Sequence, residues 1–321
     1  MPLLPSTYHP PPWLRHPHAQ TILRSLLPAP KTPSHTPESL DLPDGDFLEL
    51  HWHLPHPTSA PLAILCHGLE GHAHASYMLT MVAALHATQC NALTWSYRGC
   101  GTLPNRLPRS YHSGATEDLA AVVDHTLSRT SGPIFLIGFS LGGNLILKYL
   151  CERSPPPRIT AAAAISAPID LASCADALDQ NPGNALYRRR FLRTLTRKAA
   201  TKAQRFPDQV PAHPWSTISS IRAFDDTYTA PLHGFTSAED YYTRSSALPL
   251  LANLTVPTLL LSALDDPLLA PPSFPTTLAT THPHLHLETP THGGHVAFLP
   301  LHRPLRSWLN LRIPQFLSHR A

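Results

Sequence analysis

Five short, largely apolar runs constrain this chain's fold more than any other feature: Leu62 to Cys66, Ala92 to Ser96, Ile134 to Phe139, Ala161 to Ser166 and Thr258 to Ala263. None alternates polar with apolar residues, so each suits a parallel strand covered on both faces rather than one with a wet side. Helical patterns lie between them over 75–88, 115–129 and 143–152, with another at 301–319 interrupted by Pro314. Strand and helix in alternation predict an α/β fold, a mostly parallel central sheet flanked by crossover helices. One further run, Phe47 to His53, alternates as a half-buried strand should.

The alternation is absent from two stretches. Residues 1–37, rich in proline and histidine, read as an extended arm with one helical turn near Gln20 to Leu27. Residues 169–247 carry a basic stretch, Tyr187 to Arg205, then aromatic loops around Phe224, Tyr228, Phe235, Tyr241 and Tyr242. Because this segment falls between two core runs, it reads as a helical cap inserted over the sheet. The expected division is therefore an arm (1–37), a core (38–168 and 248–321) and a cap insertion (169–247). The basic stretch reads first as a solvated helix face; contact with lipid or phosphate, giving peripheral membrane attachment through the cap, is the rival.

Composition closes off other classes. With 321 residues, 42% hydrophobic and 14% charged, the chain can bury a full core and is not globally disordered. A net charge of +3 is too small to imply a nucleic-acid partner. The five cysteines are odd in number and form no Cys-x-x-Cys pair, which argues against a disulfide framework or a structural zinc and for a reducing compartment. The N-terminus lacks the basic start and apolar run of a signal peptide, and Ile159 to Ala172 is too short for a membrane span and contains Pro168. A soluble, cytoplasmic chain is expected. The 37 prolines fit a loop-rich surface, and the 22 histidines read as compositional drift rather than metal ligands, so no metal and no cofactor is expected.

Four motifs carry chemistry. Gly138-Phe139-Ser140-Leu141-Gly142 stands between an apolar run and a helical one. A serine hydroxyl is a weak nucleophile and must stand exposed at a sharp strand-to-helix turn where a base can reach it, with glycines two positions either side to relieve clashes. His67-Gly68-Leu69-Glu70-Gly71 ends an earlier strand; with Ser140 present, the N–H groups of Leu69 and Leu141 are the candidate oxyanion donors. Asp265-Asp266-Pro267 follows the strand at 258–263, and either carboxylate can orient a histidine. Asp266, directly before the proline, is preferred, with Asp265 as the alternative and helix capping as the bland role for both. Finally, His292-Gly293-Gly294-His295 offers two imidazoles, of which His295, with glycines before it and Val296-Ala297-Phe298 to pack behind it, is the better base. A zinc site on this histidine pair lacks an accompanying acidic helix motif.

These motifs sit in longer stretches that resemble the YheT-type α/β-hydrolases, related to the eukaryotic monoacylglycerol-lipase-like ABHD proteins. The matching stretches are HPHAQTIL (16–23), HGLEG (67–71), YRGCG and PNRLPRSYHSGATEDL (97–101 and 104–119), GFSLGGNLILKYL (138–150), FDDTYTAPLHGF (224–235), ALDDP (263–267) and HGGHVAF (292–298). The resemblance implies an α/β-hydrolase fold, a triad at Ser140, Asp266 and His295, and an ester or lipid-like acyl substrate. An alcohol O-acyltransferase using the same triad is the nearest alternative, and a non-catalytic binding protein is the alternative from another class. Within the 98–111 loop, Arg98 reads as a structural partner for Asp118, with a role at the rim of the site as its rival.

Overall fold

The computed structural model describes residues 3–26, 31–210, 212–300, 307–318 and 320. Its sheet has nine strands: β1 (Leu3–Leu4), β2 (Thr36–Asp41), β3 (Phe47–His53), β4 (Leu62–Cys66), β5 (Asn91–Ser96), β6 (Ile134–Phe139), β7 (Ile159–Ile165), β8 (Thr258–Leu261) and β9 (Leu285–Glu288). They lie in the order β1-β9-β8-β7-β6-β4-β5-β3-β2. The pairs β2–β3 and β3–β5 are antiparallel, and every other pair is parallel. All five apolar runs are strands of this sheet.

The reason those runs lack alternation is visible in β4 and β6. Leu62, Ile64 and Cys66 enter one core together with Ile134 and Leu136, while Ala63 and Leu65 enter the other with Phe135, Ile137 and Phe139. Both faces are covered, so both parities must be apolar. The helices of the flanking layers are α1 (Pro17–Leu26), α2 (Ser76–His86), α3 (Thr116–Arg129) and α4 (Leu141–Glu152). Between β7 and β8 come α5 (Leu171–Gln180), α6 (Ala185–Arg205), α7 (Ile221–Phe224), which runs through a π turn at Asp225–Thr229 into α8 (Ala230–Leu232), and α9 (Ala238–Ser245). The chain ends with α10 (Thr276–Thr281) and α11 (Leu309–Ser318). Helices α3, α4 and α10 pack on the first face; α2 and α11 pack on the second. Residues 171–242 build a third cluster of their own around Leu178, Leu192, Phe224 and Tyr241.

Three expectations need revising. The N-terminal arm carries more than one helical turn: α1 runs for ten residues, Gln20 is fully buried, and β1 extends the sheet beside β9. Strand β3 is buried on both faces rather than half-buried: Leu48, Leu50 and Trp52 enter the first core, and on the other face the rings of His35, His74 and His86 cover His51 and His53. Helix α11 continues through Pro314 instead of breaking there, while 301–306 and 319 of the expected 301–319 helix lie outside the described residues.

A buried ionic knot fixes the loop after β5. Arg98, 3% exposed, donates through Nε and Nη2 to both Asp118 oxygens at 2.8 and 2.7 Å, and through Nη1 to Asp44 at 2.7 Å and Asp46 at 3.1 Å. Asn105 and the Arg106 N–H complete the Asp46 carboxylate at 2.7 and 2.8 Å. The basic helix α6 is not wholly solvated either. Lys202 donates to Asn105 Oδ1 at 2.6 Å, and burial pulls its ammonium down to about 8. Among the described residues, no helix is long and apolar enough to cross a membrane.

Candidate active site

Strand β6 ends at Phe139 and α4 begins at Leu141, so Ser140 alone makes the turn. Its φ of 53° and ψ of −120° place a non-glycine residue in strained backbone space. The turn is held from both sides: the Ser140 N–H donates to the Ile165 carbonyl at 2.8 Å, and the Ser140 carbonyl accepts from Gly143 N–H at 2.8 Å. The flanking glycines answer to close approach. A Cβ on Gly138 would lie 2.1 Å from the Gly142 carbonyl oxygen, and one on Gly142 would lie 2.4 Å from the Cys66 carbonyl oxygen.

His295 Nε2 stands 2.9 Å from Ser140 Oγ, and His295 Nδ1 stands 2.8 Å from Asp266 Oδ2 and 3.0 Å from Oδ1. An ionised carboxylate only accepts, so Nδ1 carries the proton and Nε2 presents a lone pair to the serine hydroxyl. Asp265 does a different job: it accepts from Gly294 N–H at 3.0 Å and lies 3.1 Å from His292 Nδ1. The two adjacent carboxylates thus divide, one to the histidine facing Ser140 and one to the loop that carries it.

That loop is anchored by residues the motifs did not single out. Val296, at φ 58°, donates its N–H to Ser166 Oγ at 3.1 Å, and His295 donates its N–H to Thr21 Oγ1 at 2.9 Å. Gln20 Oε1 accepts from Leu299 N–H at 3.1 Å, and the Tyr8 hydroxyl bonds Gln20 at 2.9 Å. Thr21 and Gln20 fall inside the HPHAQTIL stretch, which was the available signal; nothing in the sequence marked Ser166.

The turn after β4 is locked by a buried histidine. His67 Nδ1 donates to the Gly68 carbonyl at 2.8 Å, and Nε2 accepts from Tyr97 N–H at 3.2 Å. Burial holds this imidazole neutral, with its pKa pushed down to about 3. On either side of Leu69, Gly68 N–H donates to the Tyr77 hydroxyl and Glu70 N–H to the Tyr111 hydroxyl, both at 2.9 Å. Lys198 of α6 reaches Glu70 at 2.9 Å, so the turn is also braced from the helices between β7 and β8. Leu141, as the first residue of α4, has an N–H without a partner inside the helix. Leu69, Leu141, Ser140 and His295 all line one cleft.

The cleft encloses about 1050 Å³, part of it open to solvent. Its far walls come from the β7–β8 helices, including Leu171, Leu178, Phe191, Leu195, Phe224 and Tyr228. One buried carboxyl interrupts this apolar lining. Asp225 accepts from Thr229 Oγ1 at 2.6 Å and from the Tyr242 hydroxyl at 2.7 Å, and burial pushes its pKa up to about 6 from 3.8. The folded chain therefore holds this proton where the unfolded chain has lost it, and stability falls as pH rises from about 4 to about 6, with the full penalty above that window. Asp225→Asn, which keeps an acceptor oxygen without the charge, should gain stability relative to the parent across this window, by roughly 2–3 kcal/mol at most. Melting temperatures of both proteins from pH 4 to pH 8 check the sign: a parallel pair of curves would refute it.

A nine-stranded, mostly parallel sheet with a serine at its strand-to-helix elbow, followed in chain order by an aspartate and a histidine, is the arrangement of an α/β hydrolase. The family model for the alpha/beta hydrolase fold matches residues 61–300, and the chain belongs to that family. Within it the chain is 34% identical to YheT of Escherichia coli (strain K12), over 94% of this chain and 90% of that protein, which makes it a member of the YheT group. It is 30% identical to the phospholipase ABHD3 of Mus musculus over 93% of this chain and 74% of that protein. It is also 30% identical to the monoacylglycerol lipase of Saccharomyces cerevisiae over 80% of this chain and 59% of that protein. Among solved structures, the Pyrococcus furiosus esterase Pf2001 shares the fold, with a TM-score of 0.59 and 17% identity across 89% of this chain and 91% of that one.

Proposed function

We propose that this protein is a serine hydrolase of carboxylic esters with lipid-like or short acyl groups. The observation that carries the proposal is the relay of contacts from Asp266 through both nitrogens of His295 to Ser140 Oγ, at 2.8 and 2.9 Å. In the reaction, His295 Nε2 takes the Ser140 proton as Oγ attacks the ester carbonyl, and Asp266 stabilises the imidazolium. The Leu69 and Leu141 N–H groups receive the oxyanion. His295 then returns the proton to the leaving alcohol. A water molecule, activated by the same nitrogen, releases the acid from the acyl-serine.

The lining of the cleft supports this substrate class. Leu171, Leu178, Phe191 and Leu195 give an acyl chain an apolar wall beyond the reacting carbon. On this reading residues 169–247 act as a cap that closes the acyl end of the site, with Lys198 and Glu70 coupling it to the oxyanion turn. The names of the phospholipase and monoacylglycerol lipase relatives agree with an acyl ester, without fixing the head group.

Two measurements test this. A fluorophosphonate probe should label the protein once, at Ser140, as located by peptide mapping. A panel of p-nitrophenyl esters of increasing length, run beside acylglycerols and phospholipids, should show a length optimum beyond acetate. Absence of both labelling and ester turnover would defeat the proposal. Added ethanol separates hydrolysis from acyl transfer, since a transferase would divert most product to the ethyl ester.

A further inference from the structure

Away from the Ser140 cleft, the fold gathers three histidines from three separate segments. His35 lies just before β2, His51 lies in the middle of β3, and His74 lies in the turn between β4 and α2. One ring nitrogen from each lies within 4.8 Å of the other two. The ring centroids are 5.1 Å apart for His35–His51 and His35–His74, and 4.2 Å apart for His51–His74. The antiparallel β2–β3 register, which sets Pro37 opposite His51, brings His35 to this spot.

The cluster is not a packing accident of well-bonded rings. His51 is only 7% exposed, yet among the described residues its buried Nδ1 has no hydrogen-bond partner. An orphaned buried polar atom costs about 1–3 kcal/mol, a cost that a ligand on that atom would remove. The contrast is His53, two residues on, whose nitrogens meet the Ser34 carbonyl at 3.2 Å and Thr94 Oγ1 at 3.3 Å. His35 is exposed, and among the described residues its ring nitrogens are held by a single long 3.4 Å contact to the Pro33 carbonyl, which a small turn of the ring would release. Glu49 is the nearby carboxylate, and its oxygens are taken by Thr102 and Leu103.

We propose that His35, His51 and His74 bind one divalent transition-metal ion of the Zn2+ class. Three imidazoles with neither thiolate nor carboxylate among them select Zn2+, Cu2+ or Ni2+ over Mg2+ or Ca2+. Tetrahedral coordination at about 2.1 Å draws the nitrogens to roughly 3.4 Å of one another, a small inward turn led by His35. The exposed side of His35 leaves the fourth position to water. The ion pins the antiparallel edge of the sheet to the turn that also carries His67 and Leu69, so its effect is to stiffen that turn. The site lies outside the Ser140 relay and stands whether or not that relay is catalytic.

The test is zinc titration of the full-length, chelator-treated protein against a chromophoric competitor, with melting temperature recorded in parallel. The expected result is one site tighter than about 1 µM and a higher melting temperature on adding ZnCl2. His35→Ala, an exposed position that leaves the core intact, and His74→Ala should each weaken that site at least tenfold while keeping the parent's circular dichroism. His295→Ala should retain it. Three results would overturn the proposal: no site tighter than about 10 µM, unchanged affinity in both His35→Ala and His74→Ala, or loss of the tight site in His295→Ala alone.

Discussion

Ser140→Ala should lose on the order of 10⁵- to 10⁶-fold in kcat toward a p-nitrophenyl ester and all labelling by fluorophosphonate, while staying folded. The magnitude reflects the loss of covalent catalysis altogether: without Oγ no acyl-serine forms, and only direct attack by water remains. Folding should survive because the strain at Ser140 lies in the backbone, which Ile165 and Gly143 hold by main-chain bonds independent of the hydroxyl. The adjacent aspartates give the sharper comparison. Asp266→Asn should cost about 10⁴ in kcat, because an amide accepts from Nδ1–H poorly and favours the wrong tautomer. Asp265→Asn should cost only about tenfold, since it loosens the Gly294 and His292 contacts without touching His295 Nδ1. If Asp265→Asn proved the more damaging, the roles assigned to the two carboxylates would have to be exchanged.

How much of this was legible in the sequence depended on whether each constraint is local. The serine elbow is local: a buried strand, glycines at 138 and 142, and a helix within a dozen residues. The parallel strands are local too, since burial on both faces forces both parities to be apolar, as in β4 and β6. By contrast β2, TPESLD, has an edge strand's polar composition and a proline, and only its six-pair register with β3 makes it a strand. The FLELHWH run reads as half wet because His51 and His53 look like solvent-facing positions. In the fold both are covered, and His51 joins His35 and His74, a convergence that no spacing along the chain encodes. The same applies to Thr21, whose hydroxyl serves His295 across 274 residues of sequence. It applies again to α6, where Lys198 and Lys202 turn inward while Arg189, Arg190 and Arg193 face outward, a division that charge counting cannot see.

Replacing Arg98 with methionine should lower stability by about 3–5 kcal/mol, because it strands carboxylates rather than because it removes a favourable pair. Asp118 and Asp46 are 3% and 0% exposed, and Arg98 supplies both hydrogen bonds to Asp118. Asp46 is less dependent on it, since Asn105 and the N–H groups of Phe47 and Arg106 also donate to its carboxylate. The penalty should therefore centre on Asp118. The double variant Arg98→Met/Asp118→Leu should recover about half of the loss, which urea midpoints would show directly. For a chain of this size the single change corresponds to a melting temperature lower by roughly 4–7 °C. The same proteins decide between a structural tie and a role at the rim of the site. If the knot only positions backbone, ester turnover per folded molecule should stay within about threefold of the parent in both variants. If Arg98 instead serves the substrate, KM should rise in the single variant and stay raised in the double one, even as stability returns.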